Sequence, residues 1–237
     1  MIALQGSVGY RTRPVLRGLD LHIGPGERVA VVGGNGAGKT TLLRALMGLL
    51  PVDGTVTIGG RRIARAEDAV DGGVGLVFQN PDDQLFGATV AEDVRFGPRN
   101  QRLDEPEVTR RSDAALAQLG IAALAARPIE ELSFGEKKRA CLAGVLAMRP
   151  SVLLLDEPTA GLDPAGEESL IETLAAIGAT MVIATHAVDL VPRMCHRVIM
   201  LGRGTIVADG TTREVFALGD ELRACNLRPP RALAVHP

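Results

Sequence analysis

The chain opens on alternation of apolar and polar positions. Ile2 and Leu4, and later Leu19, Leu21 and Ile23, fall two residues apart, the spacing that turns one face of a strand toward a core. They predict antiparallel strands with turns at Arg13-Pro14 and Gly24-Pro25-Gly26. Unbroken apolar runs follow at residues 29–32, 74–78, 151–155 and 180–185. Such runs predict strands of a parallel sheet covered on both faces. Leu42, Leu43, Leu46, Leu49 and Leu50 form a helical stripe that stops at Pro51. Residues 53–58 read as a further strand, and Gly59-Gly60 as a turn. Between 81 and 149 the pattern loses its strands, and residues 90–94, 105–119 and 135–148 read as helices. Residues 165–177 and 211–218 read as helices and 197–201 with 205–208 as a last strand pair. The chain therefore divides into an α/β core at 1–80 and 150–215, a helical insertion at 81–149, and a tail at 216–237. The tail is proline-rich from Leu227 and expected to be loose.

Composition narrows the class. The 237 residues, 46% hydrophobic, suffice for one α/β domain with a full core. A net charge of −2 leaves no basic footprint for nucleic acid, and 3% aromatics without Trp give no base-stacking platform. No apolar run approaches the roughly 20 residues of a membrane span, and the first residues read as strand rather than as a leader peptide. A cytoplasmic protein, able to dock on a membrane partner, is expected. Cys141, Cys195 and Cys225 are odd in number and widely spaced, which suits free thiols. His22, His196 and His236 fall in no motif and read as surface or packing residues.

The strongest chemical signal is GGNGAGKT at residues 33–40, between an apolar strand and a helix. It matches G-x-x-x-x-G-K-[ST] in the required context. Glycines let backbone N–H groups turn in around phosphate oxygens, and the helix start adds a positive dipole end. The expected nucleotide contacts are Gly33, Asn35, Gly36, Gly38, Lys39, Thr40 and Thr41. Lys39 should reach the β- and γ-phosphates, and Thr40 should place its hydroxyl on Mg²⁺. Asp156 and Glu157 close the VLLL strand, so both carboxylates arrive at the sheet edge where ligands of open parallel sheets sit. Asp156 suits the surroundings of a hydrated Mg²⁺. Glu157 suits a base acting on water aimed at the γ-phosphate. Ser133-x-x-Glu136 reads locally as a capping box, and the same helix start can also bind phosphate.

A phosphate loop, Gln79 closing a strand, a Leu132-Ser133-x-Gly135 helix start, a VLLLDE strand and Thr185-His186 follow one another in this order. The chain resembles an ATP-binding-cassette (ABC) ATPase over nearly its whole length. The resemblance implies a P-loop (RecA-like) α/β nucleotide-binding domain with an antiparallel β subdomain and an inserted helical subdomain. It implies Tyr10 stacked on adenine, and Gln79 contacting Mg²⁺ or the attacking water. It implies Ser133 and Gly135 on the γ-phosphate held by an opposite subunit, Asp163 at the dimer seam, and His186 on the γ-phosphate. Two copies would then sandwich two ATP molecules.

Residues 79–86, QNPDDQLF, with residues 89–98, TVAEDVRFGP, resemble energy-coupling-factor importers, above all the ATP-binding subunit of cobalt and nickel transporters. That implies an integral membrane coupling subunit, a substrate-binding membrane component, and a place on the cytoplasmic face of the membrane. Asp82, Asp83 and Phe86 would face the coupling subunit. Cobalt, nickel and vitamin cargoes stay open, as do homodimer and heterodimer. A soluble nucleotide-gated switch and a small-molecule kinase are the other classes. Phe134 and Glu136 depart from the family's signature, which has Gly and Gln there. Glu136 is expected to set a negative charge near the opposing phosphate.

Overall fold

The computed structural model describes residues 1–10 and 13–233. β1 (Ile2–Tyr10) and β2 (Arg13–Ile23) pair antiparallel. Their alternating residues Ile2, Leu4, Leu21 and Ile23 are fully buried. Arg13 and Pro14 open β2, opposite Tyr10 and Gly9, rather than forming a turn. Pro14 is tolerated because β2 is an edge strand, where a missing N–H breaks no ladder.

β3 (Arg28–Val32) leads through the glycine loop into α1 (Lys39–Leu46). Leu42, Leu43 and Leu46 of α1 are fully buried, each worth about 1.5–3 kcal/mol of transfer free energy. β4 (Val52–Ile58) and β5 (Arg61–Arg62) complete a four-stranded sheet ordered β2-β1-β4-β5. α2 (Ala66–Asp71) was not legible because it buries only Ala69. β6 (Val74–Val77) then enters the second sheet.

α3 (Val90–Asn100), α4 (Glu105–Gln118) and α5 (Phe134–Ala147) pack on one another. α3 runs well past residue 94 and through Pro98. Val90, Val94 and Pro98 form one buried stripe, so packing overrides the local cost of the proline. The helices lie in sequence between β6 and β7 (Val152–Asp156), which pair directly. The chain thus leaves the sheet and returns to the neighbouring position.

α6 (Pro164–Ala175), β8 (Thr180–Thr185), α7 (Val191–Met194), β9 (Arg197–Gly202), β10 (Thr205–Thr211), α8 (Thr212–Phe216) and α9 (Gly219–Ala224) follow. The second sheet is ordered β10-β9-β3-β8-β7-β6, parallel except for β10. Its strands send alternate side chains to two cores. Ala30, Val32, Leu153, Leu155, Met181 and Ile183 join one core, shared with α5. Val29, Val31, Leu154, Val182 and Ala184 join the other, shared with α1 and the first sheet. That two-sided burial is why these strands are unbroken apolar runs.

Of the tail expected to be loose from Leu227, residues 227–230 form no regular secondary structure and Arg231–Leu233 form one 3₁₀ turn, with single anchors tying the segment down. Leu222, Cys225 and Leu227 are buried in the first core, and the Arg231 N–H donates to Asp189 Oδ1 at 2.7 Å. The short helix α9 and single apolar anchors replace the long periodic pattern that sequence reading depends on. The last four residues of the tail, with His236, lie outside the described residues. His22 and His196 are exposed. The three thiols are free and buried, and burial pushes Cys141 and Cys195 up to about 12, so they remain protonated and unreactive at neutral pH.

Candidate active site

Parallel strands end on one edge, and four of them deliver the candidate residues there. β3 delivers the glycine loop, β6 leads to Gln79, β7 carries Asp156 and Glu157, and β8 leads to His186. Asn35, Gly36, Gly38, Lys39, Thr40, Thr41, Gln79, Asp156, Glu157 and His186 line a single hollow of about 480 Å³. Gly33 lies just outside it, in an adjoining hollow that His186 also lines.

The loop is built for an anion. Gly38 caps α1 in the left-handed region, at φ 101°, where a Cβ would come within 2.6 Å of Leu16. Glycine is therefore the residue that fits. α1 has no side-chain cap and no acidic residue in its first turn, so its leading N–H groups can take phosphate oxygens. Lys39 Nζ donates to the carbonyls of Gly33 at 2.9 Å and Gly34 at 3.4 Å, and lies 4.0 Å from Glu157 Oε1.

Asp156 Oδ1 is buried without a hydrogen-bond partner. Burial pushes this carboxyl up, while the Thr40 hydroxyl pulls it down. An orphaned buried carboxylate oxygen beside a threonine hydroxyl and Gln79 suits a hard, hydrated divalent cation such as Mg²⁺.

Glu157 is buried, and its carboxylate is aimed by several groups. Oε2 accepts from Thr185 Oγ1 at 3.1 Å and from the His186 N–H at 3.2 Å. Oε1 lies 2.8 Å from His186 Nδ1. The backbone of Glu157 is left-handed, at φ 47°, which costs roughly 1–2 kcal/mol for a non-glycine residue.

Ser133, Gly135 and Asp163 do not join this hollow. They line a second one of about 490 Å³ with Phe134 and Glu136. Asp163 caps α6 by accepting from the Gly166 N–H at 2.7 Å. Glu136 closes the capping box: its Oε2 accepts from the Ser133 N–H and from Ser133 Oγ, both at 2.8 Å. These bonds hold its carboxyl below the usual range. Tyr10 is half exposed and does not line the first hollow. Its hydroxyl accepts from Arg44 at 3.2 Å, and Val15 lines the hollow instead.

A groove of about 640 Å³ lies beside α3 and α5, with Gln84, Phe86, Asp93, Phe96 and Met148 among its walls. Phe86 and Phe96 are exposed and stack edge to face at 4.6 Å. Asp82 and Asp83 do not line it. Asp82 is instead paired with Lys137 at 2.7 Å, because the turn after Asn80 points it at α5. Sequence reading missed Gln84, which accepts from the Phe78 N–H at 3.0 Å and donates to the Cys141 carbonyl at 3.2 Å. It also missed Thr185 as the group that holds Glu157, although Thr at a strand end beside His186 was the available signal.

The sequence profile of the ABC transporter family matches residues 16–160. A putative ABC transporter ATP-binding protein of Geobacter sulfurreducens is 48% identical over 91% of this chain and 79% of its own. The energy-coupling factor transporter ATP-binding protein EcfA of Methanothermobacter thermautotrophicus is 44% identical over 92% of this chain and 72% of its own. Among solved structures, cbiO1 of Clostridium perfringens, part of the ABC transporter complex cbiONQ, superposes with a TM-score of 0.81. It shares 39% identity and covers 98% of this chain and 96% of its own. A dimeric bacterial ABC transporter cassette superposes with a TM-score of 0.80 at 25% identity, over 89% of this chain and 98% of its own.

Proposed function

The chain belongs to the ABC transporter family and is an ATPase, and from that premise we propose that it is the ATP-hydrolysing subunit of an energy-coupling-factor importer of cobalt or nickel ions. Its similarity to EcfA and to a component of cbiONQ supports this reading. The observation that carries it is the groove beside Gln84, with its exposed Phe86–Phe96 pair. An aromatic pair left in solvent at the mouth of a groove suits an apolar helix of a membrane coupling subunit. Among the described residues no helix is long and apolar enough to cross a membrane, so placement at the cytoplasmic face rests on such a partner. Phe86 is the docking residue, and Asp82 and Asp83 flank it. Cargo choice belongs to a separate membrane component, with vitamin transport as the competing cargo class.

The chemistry uses this chain's own groups. The loop N–H groups and Lys39 bind the phosphates of ATP. Thr40 and Asp156, with Gln79 beside them, would hold Mg²⁺, which would supply positive charge to the phosphates. Glu157 takes a proton from the attacking water, a bond forms between that oxygen and the γ-phosphorus, and the bond to the β-phosphate oxygen breaks to release ADP. His186 presents Nδ1 to Glu157, which leaves Nε2 for a γ-phosphate oxygen. Ser133, Gly135 and Asp163, set apart in the second hollow, complete the site of a second copy, so that two ATP molecules are held between two chains. The dimeric cassette supports this assembly.

The test is a gentle-detergent pull-down of the tagged chain from its native membranes. Recovery of an integral subunit with a small substrate-binding membrane protein, lost on Phe86→Ala, is expected. Soluble companions alone would contradict the importer and favour a nucleotide-gated switch.

Glu136 offers a second prediction. Its carboxylate occupies the Ser133 hydroxyl and places charge where the partner's γ-phosphate would approach. Glu136→Gln keeps the shape of the cap and removes the charge. ATP-driven dimerisation should tighten, while thermal stability falls by a few tenths to about 1 kcal/mol through the lost charge–dipole contact. Sedimentation with ATP reads the first and melting the second; unchanged dimerisation would contradict the phosphate's approach to Ser133.

A further inference from the structure

A lysine that the proposed chemistry does not use is buried between the two hollows. Lys138 sits on α5, one turn beyond Ser133 and Phe134, and is 6% exposed. Its ammonium donates to the carbonyl of Glu157 at 2.7 Å and to that of Pro158 at 3.3 Å. A buried lysine is expensive to desolvate and is retained where its donors are used. Burial lowers its pKa, opposed by the nearby charge of Glu157.

The two carbonyls belong to the turn that gives Glu157 its left-handed backbone. The same Glu157 carbonyl also accepts from the Ala160 N–H at 3.2 Å, and the Glu157 N–H donates to the Ala184 carbonyl at 2.8 Å. The direction of the Glu157 side chain follows from this backbone. Lys138 is therefore the side-chain donor from α5 that holds the turn. On its other side the ammonium lies 5.5 Å from the centre of the Phe134 ring, within range of a cation–π contact. That ring in turn packs on Gly161, where a Cβ would come within 2.6 Å of it. The start of α5 thus carries Ser133 at the second hollow and Lys138 on the carbonyls of Glu157 and Pro158.

We propose that Lys138 is a positioning residue for Glu157, so that the seating of the signature helix on one ATP sets the catalytic carboxylate that acts on the other. This rests on the proposed two-site dimer. It also gives Phe134, where the family has glycine, a role: the ring covers the ammonium and links it to the loop that carries Asp163. ATP drawn against Ser133 by a second copy would press on the same turn of α5 that fixes the Glu157 backbone. The two sites would then fire in concert rather than independently.

The experiment is ATP turnover by the full chain carrying Lys138→Met, which preserves length and apolar packing but removes both hydrogen bonds. The expected result is a fall in kcat of about 10- to 100-fold, the usual size for a lost positioning contact, with KM and ATP affinity within about twofold of the parent chain. Lys138→Arg, which can still donate to both carbonyls, should recover part of the loss. The deciding readout is single-turnover hydrolysis in the Glu157→Gln background. There Lys138→Met should cost nothing further, because its effect acts through the Glu157 carboxylate. An additive loss, or a parent-like kcat for Lys138→Met, would overturn the proposal. If Lys138→Met does not fold by its melting curve, Lys138→Leu, which likewise has no donor, is scored by the same criteria. The underlying reading is scored separately: a Glu157→Gln chain that turns over like the parent would refute the base itself, whatever Lys138 does.

Discussion

Glu157→Gln is expected to lower steady-state ATP hydrolysis by roughly 10²–10⁴-fold, the range of a lost general base, while ATP still binds. The substitution keeps volume and shape. Its amide oxygen can accept the bonds that Thr185 Oγ1 and the His186 N–H now give to Oε2, so the strand ends stay where they are. What changes is basicity, because an amide cannot take the proton of the attacking water. It also removes a negative charge 4.0 Å from Lys39. In a buried site that frees the ammonium for phosphate and removes repulsion of the γ-phosphate. Binding should therefore hold or strengthen while turnover collapses. Phosphate release and nucleotide retention, measured on the same preparation, separate the two. Parent-like turnover would remove Glu157 from the chemistry.

Lys39→Ala should act on the earlier step. The ammonium lies on the loop carbonyls of Gly33 and Gly34, and a phosphate offers it a full negative charge in the same place. A hydrogen bond to a charged group contributes about 1.5–3 kcal/mol, which corresponds to about 10- to 150-fold weaker ATP binding. Turnover falls with it, since both reacting centres depend on the bound γ-phosphate. Calorimetric titration with ATP checks this. Parent-like affinity would contradict the assignment of the loop. The two substitutions thus predict opposite phenotypes, one binding without turnover and the other losing binding itself.

What the sequence made legible follows from where each residue is buried. The strands of the larger sheet read as unbroken apolar runs because both of its faces are covered, and the motifs at their carboxyl ends bring Lys39, Asp156, Glu157 and His186 to one edge. Short elements held by one or two anchors left no period to read, as with α2 on Ala69 and α9 on Leu222. α3 passed through Pro98 because a buried stripe outweighed local preference. Lys138 was invisible because a lysine four residues into a charged helix start reads as solvated. Only the third dimension shows it folded under Glu157. Gln84 was hidden in the same way inside a polar turn, while Asp82 looked like a surface contact and is tied to α5. Tyr10 is placed at adenine by resemblance; in the structure its hydroxyl accepts from Arg44 and it does not line the first hollow.

In the proposed dimer, the hollow of Lys39 and Glu157 and the hollow of Ser133 and Asp163 are two halves that only a second chain brings together. The direct measurement is the molar mass of the Glu157→Gln chain by light scattering with and without ATP, with bound nucleotide counted in the same peak. A monomer is expected without ATP and, with ATP, a dimer holding two nucleotides, with Lys39→Ala remaining a monomer throughout. A monomer that retains one ATP and never doubles its mass would contradict it.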